Sequence, residues 1–247
     1  MSIKTASKKK LSIWPARLDL LQSATGLLLA LFMWLHMFFV SSILIGKDAF
    51  WGMARFFEGY FFLGYPLPLL VSLFVAAVLL LLLVHALLAL RKFPGSWRQY
   101  RGFWLHMGRM GHADTNLWMV QVVTGFLMFF LAPAHLYIML SQPELIGPYA
   151  SADRVWSGRL WPLYLLLLFA VELHGVVGLY RLAVKWGWFS AADPEQTRRR
   201  LKRMKWALTS FFLILGLTTL SAFVKIGIEH APHEGELYTP AWVEAHQ

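Results

Sequence analysis

Five long stretches with almost no charged side chains limit what this chain can fold into more than any other feature. They cover about residues 20–46, 67–90, 117–140, 160–184 and 206–226. A helix needs about 20 apolar residues to cross the hydrocarbon of a membrane, and only helices and closed barrels satisfy their backbone hydrogen bonds there. The stretches therefore predict an all-α integral membrane protein, a single membrane domain in which five transmembrane helices form a bundle.

Lysine and arginine are unevenly distributed around these helices. Of the 23 such residues, 18 lie before the first helix, between the second and third, or from Arg181 near the end of the fourth to the start of the fifth. Because basic loops are retained in the cytoplasm, we predict a cytoplasmic N-terminus, an outer C-terminus and a polar outer tail over residues 229–247. The net charge of +10 is then explained by anionic lipid headgroups or a cytoplasmic partner, and not by nucleic acid.

Histidines recur inside the first four predicted helices, as His36, His85, His135 and His174. With a rise of about 1.5 Å per residue, His36 and His135 lie about 22 and 27 Å from the inner ends of their helices, and His85 and His174 about 8 and 15 Å. Two layers of two imidazoles suit two bis-histidine b-type haems enclosed by the bundle, whereas zinc prefers three or four ligands at one depth. The alternative is that the histidines only pack between helices. The tail histidines His230, His233 and His246 are expected to be solvated.

Two glutamates are candidates for proton chemistry. The chain has no cysteine and no glycine-rich dinucleotide motif, so flavin and iron–sulfur groups would belong to other subunits and the electron carrier that suits it is a quinone. Glu58, in the aromatic segment 56–62, is the candidate proton acceptor for quinol oxidation, or an interfacial acid without a special role. Glu172, two residues before His174, is either a transmembrane proton relay or a carboxyl that packs between helices.

Polar side chains near the helix ends are candidates for binding haem propionates, although each could equally anchor its helix at the membrane interface. Those near the inner layer are Gln22, Ser23, Trp118 and Lys185, and Arg154 lies near the outer layer.

Several segments resemble the di-haem cytochrome b anchor subunit of quinol:fumarate reductases and succinate:quinone oxidoreductases. They are LQSATG (21–26), LFMWLHMFFVSSILIG (31–46), RKFP (91–94), HLYIM (135–139) and FAVELHGVVGLYRLAVKWGWF (169–189). The resemblance extends from about Leu18 to Lys225, although the segment around Glu58 departs from the family in composition.

The resemblance implies a role for each candidate residue. It makes His36 and His135 the iron ligands of a distal haem, and His85 and His174 those of a proximal haem. Glu58 would act in menaquinol oxidation and Glu172 in a transmembrane proton pathway. Propionate contacts would come from Gln22, Ser23, Trp118, Lys185 and Arg154.

The function implied is anaerobic respiration at the bacterial cytoplasmic membrane. Menaquinol is oxidised near the outer face, and electrons pass through the distal and then the proximal haem to a cytoplasmic iron–sulfur subunit. A flavoprotein subunit then reduces fumarate, with a dimer of such heterotrimers as one possible assembly. The alternatives are a succinate:menaquinone reductase that runs in reverse, the cytochrome b subunit of a hydrogenase or formate dehydrogenase, and a non-redox helical transporter or scaffold.

Overall fold

The computed structural model describes residues 12–93, 95–110 and 113–244, and these are mostly helical. The helices are α1 Trp14–Ser41, α2 Lys47–Phe57, α3 Tyr60–Leu63, α4 Pro68–Leu90, α5 Trp97–Met110, α6 Ala113–Ser141, α7 Pro148–Val155, α8 Trp161–Trp186, α9 Pro194–His230 and α10 Ala241–Glu244. Five helical segments are long and apolar enough to cross a membrane: Trp14–Leu44, Pro68–Leu90, Thr115–Ser141, Trp161–Trp186 and Pro194–His233. The prediction of an all-α fold with five membrane-length helices is confirmed.

Local signals set the ends of these helices. A proline lies in the first turn of α1, α4, α8 and α9, where its missing N–H has no helical partner to lose. The Asp193 carboxylate caps α9 by accepting a hydrogen bond from the Glu195 N–H at 2.9 Å. With this cap, α9 begins at Pro194 and not near residue 206, because the basic segment before the apolar stretch is also helical.

Four of the long helices form a closed ring. Helix α1 packs against α4 and α8, and α6 packs against the same two helices, so that α1 and α6 lie on one diagonal of the ring and α4 and α8 on the other. Helix α9 packs outside, against α8 and α1. At one end of the bundle α1 and α9 begin and α4 and α8 terminate. We call this the basic end, because Lys92 and Lys185 lie there, and we call the opposite end the Glu58 end.

The region after α9 differs from the solvated tail expected for it. His230 is the last residue of α9, and its side chain is 6% exposed. Its Nδ1 donates a hydrogen bond to the Asp153 carboxylate of α7 at 2.8 Å, and its ring stacks on Tyr149 at 3.9 Å. The expectation was therefore wrong for His230, because a distant acid on α7 supplies its partner. His233 is exposed as expected, and His246 lies outside the described residues.

We predict that His230→Gln destabilises the protein. The glutamine amide takes about the place of the imidazole Nε2 and not of Nδ1, so the buried Asp153 carboxylate loses its donor, which costs about 2 kcal/mol. The thermal unfolding midpoint of the detergent-purified chain should fall, whereas His233→Gln, which alters an exposed pair with Glu236, should leave it unchanged. Equal midpoints for the two variants would contradict the importance of the buried pair.

Candidate functional site

The first histidine pair faces across one diagonal of the helix ring, towards the Glu58 end. The ring centres of His36 on α1 and His135 on α6 lie 6.1 Å apart. Phe32 stacks on His36 at 5.6 Å, and Tyr164 contacts His135 edge-on at 5.5 Å. The His135 Nδ1 is buried and has no hydrogen-bond partner among the described residues. The imidazoles thus meet in an apolar, aromatic part of the bundle.

The second pair faces across the other diagonal, towards the basic end. The ring centres of His85 on α4 and His174 on α8 lie 6.4 Å apart. The His174 Nδ1 lies 2.9 Å from the Gln121 carbonyl, which can only accept, so this nitrogen donates and Nε2 keeps its lone pair. The Thr25 hydroxyl donates to the Leu21 carbonyl and can accept from the His85 Nδ1 at 3.1 Å. Both Nε2 atoms are therefore available to bind a metal.

Two glycines leave room for the basic-end pair. A Cβ at Gly26 of α1 would lie 2.9 Å from the His85 Cε1, and one at Gly125 of α6 would lie 2.8 Å from the His174 Cε1. Real Cβ atoms do not approach other atoms so closely, so any larger residue would push the imidazoles from their places. Each histidine thus depends on a neighbouring helix that lacks a side chain at the point of contact.

The spacing within both pairs fits a metal held between two imidazoles. Rings bound on opposite sides of one metal ion have centres about 6 Å apart when each metal–nitrogen bond is about 2 Å long. In the part of the chain that the structure describes, no group of three or more His, Cys, Asp or Glu side chains could hold a metal ion. The arrangement therefore suits an axially bound macrocyclic metal better than zinc.

Polar residues collect at the basic end, near the His85 and His174 pair. The Lys185 ammonium donates to the Ser23 hydroxyl at 3.1 Å and pairs with Asp19, which also pairs with Lys92. The Gln22 Oε1 is buried and has no partner among the described residues. The structure thus brings Ser23 and Lys185 together, with Gln22 beside Ser23 in the chain.

The remaining two propionate candidates have other contacts. Trp118 packs on Phe103 of α5, with their ring centres 4.5 Å apart. At the Glu58 end, Arg154 of α7 donates to the Leu145 carbonyl at 3.0 Å. Neither joins the Ser23 and Lys185 group.

Glu58 follows α2 directly and is fully buried, with 0% of its side chain exposed. One carboxylate oxygen pairs with Arg55, one helical turn earlier, and the other has no partner among the described residues. Burial raises the pKa of the Glu58 carboxyl, and the Arg55 guanidinium acts in the opposite direction. The pKa of this carboxyl is thus higher than that of an ordinary glutamate, which suits a group that exchanges protons.

Glu172 lies inside α8 and is also fully buried. Both of its carboxylate oxygens lack a hydrogen-bond partner among the described residues. A carboxyl that only ties helices together would show a bond to a neighbouring helix, so the geometry does not support that alternative. A buried acid of this kind needs either a proton of its own or a water.

Sequence reasoning missed four partners of these residues: Asp19, Thr25, Arg55 and Gln121. Arg55 could have been found, because a residue three positions before Glu58 shares its face when the segment is helical. The other three pair with residues distant in sequence. Gln121 acts on His174 through its backbone carbonyl, for which no side-chain pattern exists.

Comparison with known proteins identifies the family. Residues 98–217 match the transmembrane subunit of succinate dehydrogenase/fumarate reductase. The chain is 54% identical over 222 residues to the fumarate reductase cytochrome b subunit of Helicobacter pylori strain J99, covering 90% of this chain and 85% of that protein. It is 52% identical over 222 residues to the subunit of the same name from Wolinella succinogenes, covering 90% and 87%.

The chain belongs to the fumarate reductase cytochrome b subunits. The resemblance inferred from its sequence segments is therefore confirmed, and the chain is a multi-pass membrane subunit of an enzyme complex. Membership favours this function over the hydrogenase, formate dehydrogenase, transporter and scaffold alternatives.

Proposed function

We propose that this chain is the membrane anchor and electron-transfer subunit of a quinol:fumarate reductase that binds two b-type haems. The observation that carries the proposal is the pair of facing imidazoles on each diagonal of the helix ring, with centres 6.1 and 6.4 Å apart. His36 and His135 would hold the distal iron and His85 and His174 the proximal iron. When bound, each haem supplies reversible one-electron chemistry.

The residues around the basic-end pair prepare it for this role. The Gln121 carbonyl and the Thr25 hydroxyl bind the Nδ1 atoms, which orients both rings and increases the basicity of the nitrogen left for iron. At the same end of the bundle, the Lys185 ammonium and the side-chain amide nitrogen of Gln22 would donate to propionates, beside Ser23, whose hydroxyl accepts from Lys185 and donates to the Asp19 carbonyl. Trp118 and Arg154 are weaker candidates, since each is engaged elsewhere.

Menaquinol would be oxidised at the Glu58 end. Quinol oxidation releases protons as well as electrons, and Glu58 is a buried base within a segment of the chain that is rich in aromatic residues. Phe57, its neighbour in the chain, packs on Phe39 of α1 at 5.1 Å. Glu58 would accept a quinol proton, while the electrons pass through the bundle towards the basic end.

The orientation follows from charge. The basic end faces the cytoplasm under the positive-inside rule, so electrons move inward and quinol protons leave outward. An iron–sulfur subunit would dock on the basic end, where α5 and the beginning of α9 carry many arginines. That subunit and a flavoprotein would complete fumarate reduction. Operation in reverse, as a succinate:menaquinone reductase, uses the same residues, and turnover assays in both directions decide between them.

Outward proton release combined with inward electron flow would charge the membrane. A compensating proton movement through Glu172 would cancel that charge. Its burial near the middle of α8 and its two oxygens without partners among the described residues suit a group that receives and passes a proton.

Replacement of a ligand should remove one haem and spare the other. In the purified complex, we expect His85→Ala to lose the proximal haem, because an imidazole is the strong axial ligand at that position. A reduced-minus-oxidised visible spectrum and the haem-to-protein ratio measure the loss. His106→Ala alters an exposed histidine of α5 and should retain both haems. Retention of both haems in His85→Ala would overturn the assignment.

Removal of the Glu58 carboxylate should stop quinol oxidation. We expect Glu58→Gln to lower menaquinol-driven fumarate reduction by about a hundredfold, because a general base contributes at least that much. Fumarate reduction from an artificial donor to the soluble subunits should persist. Glu234→Gln, an exposed acid at the same end, is the matched control. Wild-type menaquinol turnover in Glu58→Gln would refute the role of Glu58.

The relay through Glu172 has its own test. Glu172→Gln keeps the side-chain volume but cannot pass a proton, so quinol-driven turnover in sealed proteoliposomes should fall on the order of a hundredfold. Both haems and the artificial-donor activity should stay intact. Unchanged quinol turnover in this variant would show that Glu172 carries no proton that limits the reaction.

A further inference from the structure

The segment after α9, residues 231–244, is held against the Glu58 end; we call it the C-terminal strap. The Gly235 N–H donates to the Asp153 carboxylate at 3.1 Å, and the Tyr238 hydroxyl donates to the Asp48 carboxylate at 2.5 Å. Burial and the bond to Asp48 raise the pKa of Tyr238 to about 12, so its hydroxyl stays a donor at physiological pH. Val243 is buried. The strap is thus fixed at several points along its length.

A second set of contacts joins the start of the strap to α2. Lys47 of α2 donates from its ammonium to the Tyr149 hydroxyl at 3.1 Å, and Tyr149 stacks on His230. The same ammonium lies 5.5 Å from the centre of the Tyr238 ring. Cation–π contacts of this kind favour one arrangement of the charged and aromatic groups. Helices α2 and α7 and the strap are therefore packed as one unit.

The strap reaches Glu58 through two aromatic residues. Trp242 of the strap packs edge-on against Trp51 of α2, with ring centres 5.6 Å apart. The Arg55 guanidinium lies 5.5 Å from the centre of the Trp51 ring. That guanidinium forms the ion pair with the buried Glu58. The contacts thus form an unbroken series from Trp242 to the charge that faces Glu58.

The strap also lines a small cavity beside Arg55. Leu237 and Tyr238 line a cavity of about 10 Å³ together with Arg55 and Glu144. A cavity of about that size holds a single water. The titratable side chains that line this cavity from other elements are the exposed Glu144 and the protonated Tyr238, while Glu58 pairs with Arg55 from its own helical segment.

We propose that the C-terminal strap is part of the Glu58 site, and that Trp242 is a positioning residue which, through Trp51, holds the Arg55 guanidinium against Glu58. The inference rests on the proposed role of Glu58 in quinol oxidation. Trp242 packs on Trp51, and the Arg55 guanidinium lies over the Trp51 ring, so removal of Trp242 acts on the placement of Arg55. With Arg55 displaced, the neutral form of Glu58 is favoured, and a higher pH is needed before it can accept a proton.

The test is the pH profile of the whole complex in membranes. In Trp242→Ala, we expect the acid limb of menaquinol-driven fumarate reduction to move upward by about one pH unit, the lower end of the effect of a neighbouring opposite charge. Arg55→Gln should move it in the same direction by at least as much. Trp242→Phe retains a ring and should restore the wild-type profile. Artificial-donor activity should be unchanged in all three.

A control of equal size is available at the other end of the bundle. Trp14 is 63% exposed and its ring lies 5.6 Å from the Arg17 guanidinium, so Trp14→Ala also removes a tryptophan that contacts an arginine. This variant should show the wild-type pH profile. A shift in Trp14→Ala equal to that in Trp242→Ala would overturn the inference, because it would show a nonspecific effect on the bundle.

The outcomes separate this inference from the function on which it rests. A loss of turnover at every pH, without a shift of the acid limb, would mean that Trp242 is only structural. Normal menaquinol turnover in Glu58→Gln would instead remove the proposed function itself. Should Trp242→Ala fail to assemble, Tyr238→Phe keeps every ring and breaks only the bond to Asp48. In Tyr238→Phe, an upward shift of the acid limb that is smaller than the one expected for Trp242→Ala supports the inference, and an unshifted pH profile overturns it.

Discussion

A buried imidazole must find partners for two ring nitrogens, and in hydrocarbon it cannot take them from bulk water. The bundle is organised around this requirement. At the basic end, a threonine hydroxyl and a backbone carbonyl of neighbouring helices occupy the Nδ1 atoms of His85 and His174. What remains is a pair of Nε2 lone pairs within the ring of helices. Glycines on α1 and α6 make the arrangement possible, since any side chain there would occupy the space of an imidazole.

The two buried glutamates show how position decides the use of a carboxyl. Glu58 lies beside an arginine, at a helix end close to the surface, where its charge can be balanced and its proton can leave. Glu172 has no such cation among the described residues and lies in mid-helix, where an isolated charge is costly. The first suits a base that is charged for part of the time. The second suits a carboxyl that is charged only briefly, as a relay would be.

Much of the fold, but less of the site, could be read from sequence. Hydropathy located the five long helices because the hydrocarbon imposes both length and composition on them. It did not indicate that α9 begins before the apolar stretch, because the cap at Asp193 starts the helix at a basic segment that has no apolar signal. His230 was misjudged for a different reason: its partner Asp153 lies on another helix, and long-range pairs leave no mark on local composition. Periodic and local features could therefore be predicted from the sequence, whereas pairings between residues distant in the chain could not.

The two ends of the molecule are built on different principles, and this bears on what each can do. The basic end consists of long helix termini whose arginines are exposed, an arrangement that suits docking of a partner. The Glu58 end consists of short helices and the C-terminal strap, held together by side-chain pairs and aromatic contacts. Short, locally bonded elements open at lower free energy than long helices. Under the proposed function a quinol must enter and leave, and access is expected at the Glu58 end, which can open without unfolding the helix ring that holds the histidines.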